Sequence, residues 1–153
     1  EMGPVFERAQ NIRGFQIASP SLIGIRCVQT AFSMIKEAGI DAIAQKAAVG
    51  TQMMIDLYDA WLAPHGFELN TSRDPKERGG HISLVHPDAA QICVAMREIS
   101  NVIPDYRTPN SIRLAISPLP TSFVEVWDGF ARTRDLVASG QYKTIKEGGS
   151  RVT

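Results

Sequence analysis

The ten residues Ser111-Ile112-Arg113-Leu114-Ala115-Ile116-Ser117-Pro118-Leu119-Pro120 constrain this chain more than any other stretch, because they set one charge inside an apolar strand. Side chains alternate across a strand, so Ile112, Leu114 and Ile116 share one face while Arg113, Ala115 and Ser117 share the other. The first face reads as core. The second holds a guanidinium flanked by small residues, ahead of a proline turn and a capped helix. Such a group suits two-pronged hydrogen bonding to a carboxylate. It also suits a structural ion pair, the commoner arrangement, and spacing alone leaves both open.

A chain of 153 residues is long enough to bury one core without disulfide or metal staples. Sixteen basic and sixteen acidic side chains cancel, which leaves no electrostatic footprint for nucleic acid or an anionic membrane surface. No apolar run approaches the roughly 18 residues that span a bilayer, and no basic segment leads into an apolar one at the N-terminus. A soluble, cytoplasmic protein is the expectation. Cys27 and Cys93 fall inside helical patterns without metal-ligand spacing, so both read as buried, reduced thiols rather than nucleophiles.

The first 19 residues show no sustained period, and Met2 stands behind Glu1. Residues 1–20 therefore read as a segment that docks on something absent, 21–140 as the folded domain and 141–153 as a polar, frayed tail. Helical spacing of Ile25, Val28, Phe32 and Ile35 predicts a first helix stopping at Gly39. Ile43, Ala47, Gly50, Met54, Leu57 and Trp61 predict a second, ending at Pro64 and Gly66; Met53, Met54 and Trp61 read as core rather than a cofactor lining. Beyond Gly66 the period changes to two. Strands are expected at 67–71, 81–86, 102–107 and 112–117, the last two joined by the turn Thr108-Pro109-Asn110-Ser111. A helix with Ala89, Ile92, Met96 and Ile99 inward follows Pro87-Asp88. A final helix begins at a Ser122/Glu125 capping box, buries Phe123, Trp127, Phe130 and Val137, and stops at Ser139-Gly140. The fold class is α/β in the α+β, two-layer sense: two N-terminal helices, then a small mixed or antiparallel sheet with helices on one face. The face bearing Arg113 awaits a domain, a subunit or a ligand.

Self-contained chemistry is hard to find in the chain. His65, His81 and His86 lack metal-site spacing, so no metal is expected, and two of the three read as surface residues. Arg78-Gly79-Gly80 resembles a phosphate loop but precedes a strand rather than a helix, which favours a hinge. None of Lys36, Lys46, Lys76, Lys143 and Lys146 sits in an apolar pattern suited to Schiff-base work. No catalytic nucleophile or base is evident.

Several stretches together resemble one family. They are Phe15-Gln16-Ile17-Ala18-Ser19-Pro20-Ser21-Leu22; Arg73-Asp74-Pro75; Arg78-Gly79-Gly80-His81-Ile82-Ser83-Leu84 with His86-Pro87-Asp88-Ala89; Tyr106-Arg107-Thr108-Pro109-Asn110-Ser111-Ile112-Arg113; and Pro118-Leu119 before Ser122-Phe123-Val124-Glu125-Val126-Trp127. From about Phe15 to Val137 the chain is similar to the C-terminal part of kynureninases. The resemblance implies a pyridoxal-phosphate enzyme of the aspartate aminotransferase fold type, usually a homodimer, that hydrolyses kynurenine or 3-hydroxykynurenine to an anthranilate and alanine. It implies that this chain is the small domain, without the catalytic lysine and inactive by itself, with a large domain as its partner. By position, Arg113 takes the role of binding the substrate's α-carboxylate. Ser19, before Pro20, falls where a polar residue reaches the cofactor phosphate of the other subunit; the family's threonine or asparagine is Ser19 here, and its second proline is Ser21. Two rival readings are the small domain of another pyridoxal-phosphate lyase or aminotransferase and a free-standing amino-acid-binding regulatory domain.

Overall fold

The computed structural model describes residues 8–16 and 18–145. Residues 1–7 of the expected docking segment, Ile17, Lys146 and the rest of the tail to 153 lie outside them. The chain divides into two compact units, Glu1–Ala38 and Gly39–Thr153.

The first unit holds a short 3-10 turn, Asn11–Phe15, and helix α1, Leu22–Ala38. Ser21 starts the helix: its Oγ accepts from the Gly24 backbone N–H at 3.1 Å, satisfying one of the orphan donors of the first turn. The expected apolar stripe is there, yet α1 buries no side chain, and Ile25, Val28 and Phe32 are exposed. Cys27 is exposed for the same reason, against the expectation of two buried thiols.

The second unit opens with α2, Ile40–Leu57, which runs through a single π turn, Tyr58–Leu62, and a 3-10 turn, Ala63–His65. Pro64 suits the start of the 3-10 turn, and Gly66, at φ 85°, takes the left-handed conformation that closes it. The inward stripe runs through Thr51, Ile55, Tyr58 and Leu62, while Leu57 and Trp61, expected there from helical spacing, are half-buried at the margin of the core beside Met53. A Cβ added at Gly50 would lie 2.6 Å from Ile116 Cδ1, so this glycine lets α2 approach the end of the sheet. The Tyr58 hydroxyl, on a buried ring, donates to the Phe67 carbonyl and accepts from the Leu69 N–H, each at 3.2 Å.

Four strands follow: β1 (Glu68–Leu69), β2 (His81–Val85), β3 (Asp105–Arg107) and β4 (Ser111–Ala115). Their order is β1-β2-β4-β3, and all three pairings are antiparallel. All four strands are shorter than the alternation suggests, β2 and β4 by one residue and β1 and β3 by three. The Phe67 carbonyl is taken by Tyr58, and Val102 N–H turns back to the Met96 carbonyl at 2.9 Å, so 102–104 is a connection rather than a strand.

Helix α3, Ala89–Glu98, and helix α4, Phe123–Ala138, complete the layer over one face of the sheet. The core joins Ile55 and Leu62 with Ile82 and Leu84 of β2, Ile92 and Met96 of α3, Ile112 of β4 and Phe130 of α4. Cys93 is fully buried, and burial pushes its thiol up to about 12, which leaves it inert at neutral pH. Ile99, expected inward, lies just past the last turn of α3 and is exposed. On α4 the inward line runs through Val126, Phe130, Thr133 and Val137. Phe123, expected in it, lies on the side of Phe130 but is the first residue of the helix and exposed, and Trp127 is offset from that line and exposed; Trp127 instead meets Trp61 edge to face, with the Arg134 guanidinium over the Trp61 ring. Past Gly140, Tyr142 of the turn Gln141–Thr144 packs into the core and its hydroxyl donates to Asp88 at 3.2 Å.

The capping box at α4 is formed. Ser122 Oγ accepts from Glu125 N–H at 3.2 Å, and the Glu125 carboxylate accepts from Ser122 N–H at 2.7 Å. The bond from the Ser122 backbone, then that from its hydroxyl, holds the Glu125 carboxyl below the usual carboxylate range. A lowered folded-state pKa stabilises above the unfolded value and is lost as pH falls through the folded one. We expect Ser122→Ala to cost about 1 kcal/mol, or roughly 2–4 °C in Tm. The gap between variant and wild type should narrow as pH is lowered through the acidic end of the carboxylate range, which thermal melts across pH would check.

Candidate functional site

Residues opposite one another in an antiparallel pair point to the same face. Ile112 pairs with Leu84 and Tyr106, and that face is the one covered by helices. Arg113 pairs with Ser83 on one side and Asp105 on the other; Ser111 pairs with Val85 and Arg107. These residues form two rows on the uncovered face. Ser83 and Ser111 are joined through their hydroxyls at 2.6 Å, leaving Arg113, Asp105 and Arg107 as its charged group beside β3.

The guanidinium of Arg113 donates through Nη2 to Asp105 Oδ2. Arg107 donates to the same oxygen through Nε at 3.0 Å and Nη2 at 2.8 Å. Burial pushes the Asp105 carboxyl up, but the Arg107 hydrogen bond, the charges of Arg107 and Arg113, and the Arg113 hydrogen bond outweigh it and hold the group below the usual range. Asp105 is thus an anion at neutral pH. Two arginines against one aspartate leave a local charge of +1. Arg113 makes no other hydrogen bond among the described residues, and its side chain is 38% exposed. The ion pair read as an alternative from the sequence is therefore present, and the other two guanidinium nitrogens, Nε and Nη1, have no hydrogen-bond partner among the described residues.

The other motif residues are committed to structure. Arg73 makes a two-pronged pair with Asp59 at 2.7 and 2.8 Å. Arg78 donates to Thr51 Oγ1 at 3.1 Å, to Gln52 Oε1 at 2.8 Å and to the carbonyl of Arg73, which ties the 72–80 connection to α2. His86 is buried, accepts the Asp88 N–H at Nδ1 and packs on Phe67; His65 and His81 are exposed. Ser19 belongs to the first unit, is exposed, and its hydroxyl has no hydrogen-bond partner among the described residues. No group of three metal-ligating side chains occurs among the described residues, and none of their helices is long and apolar enough to cross a membrane.

Asp105 and Arg107 were missing from the sequence reading of the site. The signal was available: a turn pairing Arg107 with Ser111 places Asp105 opposite Arg113, and alternation puts all three charges on one face.

A family model described as the kynureninase C-terminal domain matches residues 43–132, a span that contains Arg113, Asp105 and Arg107. The chain is 36% identical over 143 residues to a kynureninase of Geobacillus thermodenitrificans, covering 94% of this chain and 33% of that protein. It is 35% identical over 138 residues to a kynureninase of Shouchella clausii, covering 90% and 32%. A kynureninase of Bacillus anthracis is 32% identical over 146 residues, covering 95% and 34%. The chain spans about a third of the length of these curated relatives. With the matched span covering every strand and the charged face they carry, the chain belongs to the kynureninase C-terminal domain family.

Proposed function

We propose that this chain is the small domain of a pyridoxal-phosphate-dependent kynureninase, which hydrolyses kynurenine or 3-hydroxykynurenine to an anthranilate and alanine, and that Arg113 binds the substrate's α-carboxylate. The observation that carries the reading is Arg113 itself, a cation on a strand whose opposite face is locked into the core, with guanidinium nitrogens left over from its ion pair. A carboxylate meeting two parallel N–H groups is held in one orientation as well as attracted. That fixes the rest of the substrate about its α-carbon.

The residues present fit the cofactor at its periphery. Among the described residues Lys36, Lys46, Lys76 and Lys143 are exposed or half-buried, without the enclosed surroundings of a Schiff-base lysine, which supports a covalent attachment elsewhere in the protein. The Ser19 hydroxyl is free to donate to a phosphate oxygen, in keeping with contact to the cofactor of a second subunit in a homodimer. When bound, the cofactor supplies an electron sink for the carbon beside the carboxylate. This chain's part is to orient the substrate through Arg113 and to steady the phosphate through Ser19.

Incubating the full-length protein, loaded with pyridoxal phosphate, with kynurenine and with 3-hydroxykynurenine tests the reading. Release of an anthranilate and alanine in equal amounts is the expected result, with no turnover by the 153-residue chain alone. A cofactor-loaded, folded full-length protein that consumes neither substrate would sink it. Ser19→Ala should lower cofactor occupancy measurably without altering the melting behaviour of this chain.

A further inference from the structure

We propose that Asp105 is a positioning residue for Arg113, pinning its guanidinium across the sheet so that it is already set when a carboxylate arrives, while Arg107 keeps the cluster cationic. The inference rests on the carboxylate-binding reading of Arg113 and extends it to two residues that reading did not use.

A free arginine side chain carries about 2 kcal/mol of rotamer entropy. A binding group that must surrender that freedom binds more weakly than one already ordered. Asp105 sits directly opposite Arg113 in the β3–β4 register and engages one of its three guanidinium nitrogens, which restrains the group and leaves the donors on the other two unused. A lone aspartate would also cancel the charge the substrate is drawn to. Arg107 removes that objection by donating twice to the same Oδ2, so the cluster of three keeps a charge of +1 for one incoming carboxylate. Stability does not account for the arrangement as well. The side chains of Arg113, Asp105 and Arg107 are 38%, 33% and 58% exposed, a setting in which an ion pair contributes little to folding.

The test is a double-mutant cycle in the full-length, cofactor-loaded protein: Asp105→Ala, Asp105→Asn, Arg113→Ala and the pair Asp105→Ala with Arg113→Ala, each followed by KM, kcat and Tm. We expect Asp105→Ala to raise KM about 2- to 10-fold, the freedom regained by one rotamer-rich side chain, with a smaller change in kcat and an unchanged Tm. Asp105→Asn, which keeps an acceptor oxygen at the same place, should fall between wild type and Asp105→Ala. In the Arg113→Ala background Asp105→Ala should have no further effect, because a residue that acts through another has nothing left to act on. A wild-type KM in Asp105→Ala, or an effect of equal size with and without Arg113, overturns the proposal while leaving the clamp intact. A wild-type kcat/KM in Arg113→Ala removes the clamp itself, and this inference with it.

Discussion

Replacing Arg113 with alanine in the full-length protein lowers kcat/KM by about 30- to 5,000-fold, the range expected when one partner of a hydrogen-bonded charge pair is truncated. Arg113→Lys is the more informative variant. It keeps the charge and loses the planar fork, so charge-assisted bonds of about 1.5–3 kcal/mol are forfeited. That corresponds to about 10- to 150-fold in kcat/KM at 1.4 kcal/mol per decade. Cofactor content should hold in both variants, because in the proposed role Arg113 meets the substrate's carboxylate and not the cofactor's phosphate or ring. Tm should hold as well: the Arg113 side chain is 38% exposed, and its pair with Asp105 is screened by water. Measuring kcat/KM, cofactor occupancy and Tm on the same preparations separates the roles. If Arg113 served only to brace the hairpin, all three would fall together.

One residue earlier the expectation inverts. Ile112 is 1% exposed and packs with Leu84 and Tyr106 on the covered face. Ile112→Ala removes three buried carbons from a core that cannot collapse onto the gap, at a cost of about 2–5 kcal/mol. For a chain of this size that is roughly 4–20 °C in Tm, and Ile112→Val should lose about 0.5–1.5 kcal/mol. Below the lowered melting point the catalytic constants per folded molecule should stay near wild type. Neighbours on one strand thus divide the work: the even positions hold the sheet down and the odd ones lie on the uncovered face. An Ile112→Ala chain melting within 1 °C of wild type would show that the sheet's core face is not what holds this unit together.

That division was legible in the sequence because alternation is set by backbone geometry alone, and 111–116 has no residue that breaks it. The capping box was legible for a similar reason, since Ser122 and Glu125 meet through local bonds that need no tertiary partner. What failed were inferences about phase over longer distances. On α2 the buried line runs through Thr51, Ile55, Tyr58 and Leu62, while Leu57 and Trp61 recur at an equally regular spacing, so periodicity alone did not choose between two adjacent stripes. On α4, Trp127 looked inward because it is large and apolar, but the inward line passes through Val126 and Thr133, and Phe123 stands at the open start of the helix. Asp105 was overlooked because its role depends on a hairpin register, which exists only once Thr108-Pro109-Asn110 is known to join Arg107 to Ser111 directly.

The Tyr58 hydroxyl has a consequence for the border of the sheet. Just past β1, Asn70 N–H points to β2, bonding the Ser83 carbonyl, so by alternation the Phe67 carbonyl and the Leu69 N–H point away from the sheet. These are the groups that an added strand from another molecule would seek. One phenol meets both, accepting and donating as an extra strand would, and it does so from a buried ring that no visiting chain can displace. At the opposite border β3 is three residues long and presents Asp105 and Arg107, whose charges resist desolvation by an incoming strand. Both margins of the described sheet are therefore poor templates for the edge-to-edge pairing by which crowded copies of a sheet protein stack into fibres.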